Sequence, residues 1–462
     1  MLFGSWAAVV LFSGGCVDEP KRLRPQAGAA GMAGARAPAG GRGGGGGATA
    51  GEAGEAGVGT EAGASGSLAD AGMGGADMGA AGEEAGGALG AGAGAGGAQA
   101  GSAGAGGEID TFNEPCPSSA LDGWASVAGL DFDPSLGQPT ALEVTVSNAA
   151  DLATYAASPD PYIIRVSGTI AVKALDVASN EMINVLDVKS NKTIVGDDPT
   201  ATIEGGIRIA GTSAATADMI SNVVIRNLRI NALSSATSSV VNEADGIGIA
   251  YAHHVWIDHV DVWDAPGDDI DITNGSDYIT VSWTRFRFDQ GFRRTATRVG
   301  HSDTNSAEDT GRLKVTFHHD WWEGSVYQRM PRVRFGDVHV FDSYFSHTDE
   351  YQNANTYGVA AAIGSRLLVE NNYFDKVPNP HVFFSFDSAT NMSSFSEPTA
   401  QMVAKDNTYV GISDEAGGKQ SGQGDAFTPP YAVALEPADL RLKDFVRHCT
   451  GPVVPNPPPV QP

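Results

Sequence analysis

Three guanidinium groups fall within six residues in the segment QRMPRVR (residues 328–334), namely Arg329, Arg332 and Arg334, in a chain whose formal net charge is −26. Such a cluster needs a reason. It either pairs with acids of the chain or holds an anionic substrate through two-point contacts. Two acidic groups stand out elsewhere: Asp245 in NEADGIGI, and Asp268, Asp269 and Asp271 in GDDIDIT. Carboxylates gathered without bases repel one another, and a hard cation with oxygen ligands relieves that repulsion; solvated turn acids are the plainer reading of the composition.

These residues must be positioned by short strands. The segments beginning at Asn191, Asn222, His254, Asp277, Leu313, Val338, Leu367 and Met402 share one pattern, a β-branched alternation that ends in Asn, Asp, Ser or His, and successive copies lie 23 to 36 residues apart. Period-2 burial at so uneven an interval suits neither a propeller nor a leucine-rich repeat. It predicts an all-β fold, a right-handed parallel β-helix with irregular loops, in which strand length is fixed by stacking and the turns are free to grow. The segment at residues 148–157 reads as a short helix capped by Asn148 or Ser147 and covering the N-terminal end of the solenoid. Asn227, Asn371 and Asp406 end their strands either as stacked ladders or as ordinary turn residues.

Residues 17–110 are rich in Gly and Ala, with too few large apolar side chains to offset the entropy of folding, and read as a disordered linker. They carry 11 acids against 5 bases, so the domain expected over 111–462 keeps about −20. That balance excludes nucleic acid as a general partner. Residues 1–16 form an apolar run, too short to span a bilayer, that ends at Cys16 and reads as a signal peptide, with Cys16 either lipidated or simply removed with it. The chain is expected to be an exported bacterial protein, secreted or held at the cell surface, touching membrane only through that anchor, and monomeric. In an oxidising compartment Cys116 and Cys449 are expected to pair. Calcium is then the natural hard cation.

From about Ala141 to Phe374 the chain resembles the pectate lyases of polysaccharide lyase family 1. The resemblance is carried by VTVSNAADLATY, YIIRVSGTI, SNKTIVGDD, SNVVIRNLRI, DGIGI with HHVWIDHVDV, DITNGSDYITVSW, VGHSD, LKVTFHHDWW and RMPRVRFGDVHVFDSYF, in that order. It implies calcium-dependent β-elimination of polygalacturonate. Arg329 is then the base, Arg334 a ligand of the substrate carboxylate with Arg332 beside it, and Asp245, Asp271 and Glu243 ligands of the metal. Two positions depart from the family pattern. Gly267 stands where a ligand acid is usual, so Asp268 is expected to take over. The usual substrate-binding Lys is missing, which leaves Arg293 or Arg294. Action on methyl-esterified pectin, or pectin binding without cleavage, are the competing readings. His259, His318, His319 and Trp256 are expected to pack between coils rather than to react.

Overall fold

The computed structural model describes residues 114–117, 120–130, 141–176, 181–235, 245–290, 294–348, 356–387, 392–412 and 427–453. Cys16, the segment 17–110, Glu243 and Arg293 lie outside them.

Each coil of the chain contributes strands to up to three parallel ladders. The first ladder begins with Leu142–Val146, Tyr162–Val166 and Lys192–Gly196 and continues through Ile220–Asn231, Ala252–Trp263, Asp277–Ser282, Val315–His318, Asp337–Phe341 and Arg366–Glu370 to Gln401–Lys405. All eight segments picked out by their alternation lie on it. A second ladder runs through Arg285–Arg287, Trp321–Trp322, Tyr344–Ser346, Tyr373–Asp375 and Thr408–Val410. The third is a separate eight-stranded sheet: Val185–Asp187, Gly206–Ala210, Ile247–Ala250, Asp268–Thr273, Thr295–Val299, Arg332–Val333, Val359–Ala361 and His381–Phe383. Parallel neighbours in every ladder, each one coil further along the chain, make this a parallel β-helix.

The interior is apolar and ordered in stacks. Ile164, Ile194, Ile225, Ile257, Val281, Phe317 and Val340 are fully buried on successive coils of the first ladder. On the second, Phe286, Trp322, Phe345, Phe374 and Tyr409 stack ring on ring with centroids 5.1, 4.5, 4.3 and 5.4 Å apart. Truncating one of the inner phenylalanines to Ala would cost about 3–5 kcal/mol.

Between the first and second ladders the chain turns through one left-handed residue per coil: Asn227, His259, Trp283, His319, Asp342, Asn371 and Asp406, all with φ between 47° and 56°. Asn and Asp tolerate this region best, which is why they terminate strands here. Three coils instead use rings, with His259 over Trp283 at 5.7 Å and Trp283 over His319 at 4.2 Å, both nearly parallel. Stacking offsets the backbone strain that Asn would relieve. Among the described residues this corner is thus partly polar and partly aromatic.

The helix Ala149–Ala157 is capped by Asn148, whose side chain accepts from the Asp151 amide, and buries Leu152 and Ala156 against the first coils. Near the C-terminus of the chain, Asp439 caps the helix Leu440–Cys449. Its Leu442 and Val446 pack on Tyr344 and Tyr373, and Phe445 on Trp283. Cys449 is bonded to Cys116, 333 residues away, so the two ends of the domain are tied on the outside of the coils.

Candidate active site

The charged residues singled out by the sequence converge on the third ladder. Parallel pairing sets Gly248, Asp271, Arg298 and Arg332 side by side on four successive coils, and Asp268 beside Thr295. Asp245 lies just before Ile247–Ala250, and Arg329 just before Arg332–Val333, where Gln328 bridges to Thr295. Residues separated by up to 87 positions in sequence are thereby stacked about 4.8 Å apart per coil.

Arg329 is almost fully buried and has φ of 66°, a conformation non-glycine residues adopt only when the surroundings enforce it. The enforcing contacts come from the neighbouring coils: its carbonyl accepts from the Thr297 amide at 2.7 Å and from the Thr297 hydroxyl at 2.8 Å, and the following Met330 amide donates to the Gly358 carbonyl at 2.9 Å. The Met330–Pro331 peptide is cis. The guanidinium Nη1 donates to both oxygens of Asp268, at 3.0 and 2.8 Å. Burial pushes the Arg329 pKa down and the neighbouring Arg332 and Arg298 charges push the same way, outweighing Asp268.

Asp268 responds oppositely. Burial alone would raise its pKa, but Arg329 and Arg298 hold it below the usual carboxylate range. Among the described residues no arginine is bonded to Asp245 in this way. Burial and the charge of Asp271 lift it well above that range, against the pull of Arg298 and of its bond from the Asp268 amide at 2.9 Å. Gly248 explains how Asp245 fits. A side-chain carbon at Gly248 would sit 3.7 Å from Oδ2 of Asp245, so the carboxylate occupies the place in the row that a larger residue would fill. Asp245 and Asp271, on adjacent coils, lie close enough for the charge of Asp271 to raise the pKa of Asp245, and their oxygens are the donor type that a hard cation takes.

Arg298 is the residue the sequence did not single out. Its Nε and Nη2 donate to the two oxygens of Asp271 at 2.9 and 2.7 Å, and Nε lies 3.4 Å from Asp268. Arg294 instead forms the left-handed entry to this strand, with φ of 55° and its carbonyl accepting from Tyr327. The position facing Gly267 is taken by Thr295, whose hydroxyl donates to the Gly267 carbonyl at 3.0 Å.

Arg332 and Arg334, two residues apart, take different partners. Arg332 places its guanidinium 5.0 Å over the ring of Phe384, on a later coil. Arg334 turns back to the preceding coil, donating to Asp303 at 2.5 Å and to the Gly300 carbonyl at 3.2 Å. Gly300 has φ of 90°, and a side-chain carbon there would meet Arg334 at 2.7 Å.

His318 lies on the first ladder, and His259 and His319 at its corners. Trp256 donates to Ser282 at 3.0 Å, His259 pairs with Asp258 at 3.0 Å, and His318 meets Asp122 at 3.0 Å. They tie coils and the N-terminal segment together.

The sequence profile of the pectate lyase family matches residues 80–421, about three quarters of the chain. The chain belongs to the pectate lyase family. Among curated proteins, this lyase is 31% identical over 335 residues to probable pectate lyase A of Neosartorya fischeri, covering 71% of the chain and 87% of that protein. It is 34% identical over 285 residues to pectate lyase A of Aspergillus niger, covering 60% and 76%. Its fold matches that of the pectate lyase from Bacillus sp. N165, solved in complex with trigalacturonate, with a TM-score of 0.52 at 23% identity, over 72% of this chain and 98% of that one. A pectate lyase from Paenibacillus sp. 0602 gives 0.52 at 17% identity, covering 70% and 93%.

Proposed function

We propose that this pectate lyase cleaves α-1,4-linked polygalacturonate by calcium-assisted β-elimination, with Arg329 as the base. The observation that carries the reading is the meeting, on one ladder, of the carboxylates of Asp245 and Asp271 with an arginine whose pKa is pushed down by burial and like charge.

In polygalacturonate the C5 proton lies next to a carboxylate. Arg329, in its neutral form, takes that proton; the electron pair forms the C4–C5 double bond as the C4–O bond breaks, the leaving oxygen takes a proton from water, and Arg329 then gives its proton to the hydroxide so formed. The ionised carboxylate resists the charge that accumulates beside it. Arg334, once released from Asp303, and Arg332 would donate to it, and the sequence reading adds Arg294 or Arg293 to the same task. Asp245 and Asp271 would hold calcium, with Asp268 nearby and Glu243 added from the sequence reading alone; both oxygens of Asp268 are engaged by Arg329. Bound calcium would supply positive charge to the substrate carboxylate. Asp268 keeps Arg329 aimed, and the cluster of Arg298 and Arg332 disfavours its protonated form.

We also propose that residues 1–16 direct export, that Cys16 carries a lipid, that 17–110 tether the catalytic domain and that the protein acts as a monomer. Among the described residues no helix is long and apolar enough to cross a membrane.

Ultraviolet absorbance of the unsaturated product tests the reading. Polygalacturonate should give product with Ca²⁺ and lose it in excess chelator. Product that persists in chelator, or forms faster from fully methyl-esterified pectin, would favour the calcium-free pectin lyase reading.

A further inference from the structure

On the third ladder the side chains at the level of the site form one row across successive coils: Asp187, Arg208, Gly248, Asp271, Arg298, Arg332 and Ala360. The row contains two forked ion pairs. Arg208 grips Asp187 at 2.6 and 3.0 Å, with both side chains partly open to solvent. Arg298 grips Asp271 at 2.9 and 2.7 Å, with side chains only 11% and 10% exposed. The second pair is therefore far less screened than the first.

The atoms Arg298 grips are those that a cation held between Asp245 and Asp271 would need. We infer that Arg298 is a built-in competitor for the metal: it neutralises Asp271 in the metal-free protein and must release at least one Asp271 oxygen for calcium to bind. This rests on the calcium reading above. The geometry makes the competition direct, because both oxygens of Asp271 are engaged and Asp268, the nearest alternative acid, is engaged by Arg329. It also gives the guanidinium a purpose. Without it Asp245, Asp268 and Asp271 would face one another with Arg329 as the main counter-charge, which is costly in a buried setting. A metal that binds only the form with Asp271 released has its apparent affinity reduced by the fraction of protein in that form.

The test is calcium binding to the whole chain without substrate, by isothermal titration calorimetry at neutral pH, with thermal unfolding measured with and without Ca²⁺. Arg298→Gln should bind calcium about tenfold or more tighter than wild type. It should also unfold at lower temperature without calcium and show a larger calcium-dependent rise in Tm. Arg298→Lys, which keeps a charge but not the fork, should fall between the two and covers the case in which Arg298→Gln does not fold without metal. Arg208→Gln, at the other forked pair in the row, should leave calcium affinity unchanged. Equal or weaker calcium binding by both Arg298 variants overturns the inference, as does equal tightening by Arg208→Gln. If wild type binds calcium and the Arg298 variants do so no more tightly, the calcium reading survives and this inference alone fails. If neither binds calcium and the wild type still cleaves in chelator, both fail.

Discussion

Nη1 of Arg329 donates to both carboxylate oxygens of Asp268, at 3.0 and 2.8 Å, across 61 residues of sequence. The pair sets a balance. Asp268 orients the guanidinium but favours its charged form, whereas burial, Arg332 and Arg298 favour the neutral form that a base requires, and the second group prevails. An arginine serves as a base only where its surroundings are arranged against its charge.

The pH profile should follow from that balance. Arg329 works without its proton, and a lowered pKa brings the proton-free form within reach at lower pH than for an exposed arginine. Log kcat/KM at saturating Ca²⁺ should therefore climb with pH on the alkaline side of neutrality. On the acid side, Asp245 takes a proton well above the usual carboxylate range when no cation faces it, so calcium affinity should already weaken in mildly acidic buffer. An optimum in acid would contradict both assignments.

Removing a like charge should move the alkaline limb. Arg332→Gln takes away the strongest neighbouring charge that disfavours protonated Arg329, so the Arg329 pKa should rise and the limb should shift to higher pH. Comparison of kcat/KM against pH for the two proteins gives the shift. A fall in rate uniform across pH would assign Arg332 to substrate binding alone.

Gly248 should be intolerant of bulk for a reason separate from stability. Alanine fits, because its Cβ would lie 3.7 Å from Asp245. Leucine should displace the Asp245 carboxylate and weaken calcium binding at least about tenfold, with a modest change in Tm, since the site faces outward from the core. Calorimetric titration of Gly248→Ala and Gly248→Leu separates the two effects.

The Cys116–Cys449 bond closes a loop of 333 residues, and in the chain-entropy picture its loss should cost about 6 kcal/mol. Both cysteines lie far along the sequence from the third ladder, so Cys116→Ser with Cys449→Ser should lower Tm by several degrees. It should leave kcat within about twofold of wild type at temperatures where the protein stays folded. Activity and thermal unfolding of the double variant check this together.

Much of this was legible in the sequence because stacking forces one residue pattern onto every coil. The alternation marked the first ladder, and Asn148 the first helix. QRMPRVR marked Arg329 by its density of arginine, although the acid that orients it, Asp268, lies 61 residues away. Arg298 was not legible. It is one of three arginines in FRRTATR, and which of them meets Asp271 depends on how many residues the loop after Arg287 consumes before strand pairing resumes at Thr295, a length that the unequal turns leave open. The aromatic corner was hidden for another reason: His259, Trp283 and His319 replace Asn by stacking on one another, a compensation visible only once coils are superposed.

The most direct test of the account is the initial rate of unsaturated-product formation from polygalacturonate by wild type and Arg329→Lys, at saturating Ca²⁺ and alkaline pH. Lysine keeps the positive charge and most of the length but changes the group that must accept the proton and loses the fork on Asp268. The rate should fall by about 10²–10⁴-fold, with KM changed little. An Arg329→Lys enzyme that keeps a tenth or more of the wild-type rate would show that another group takes the C5 proton.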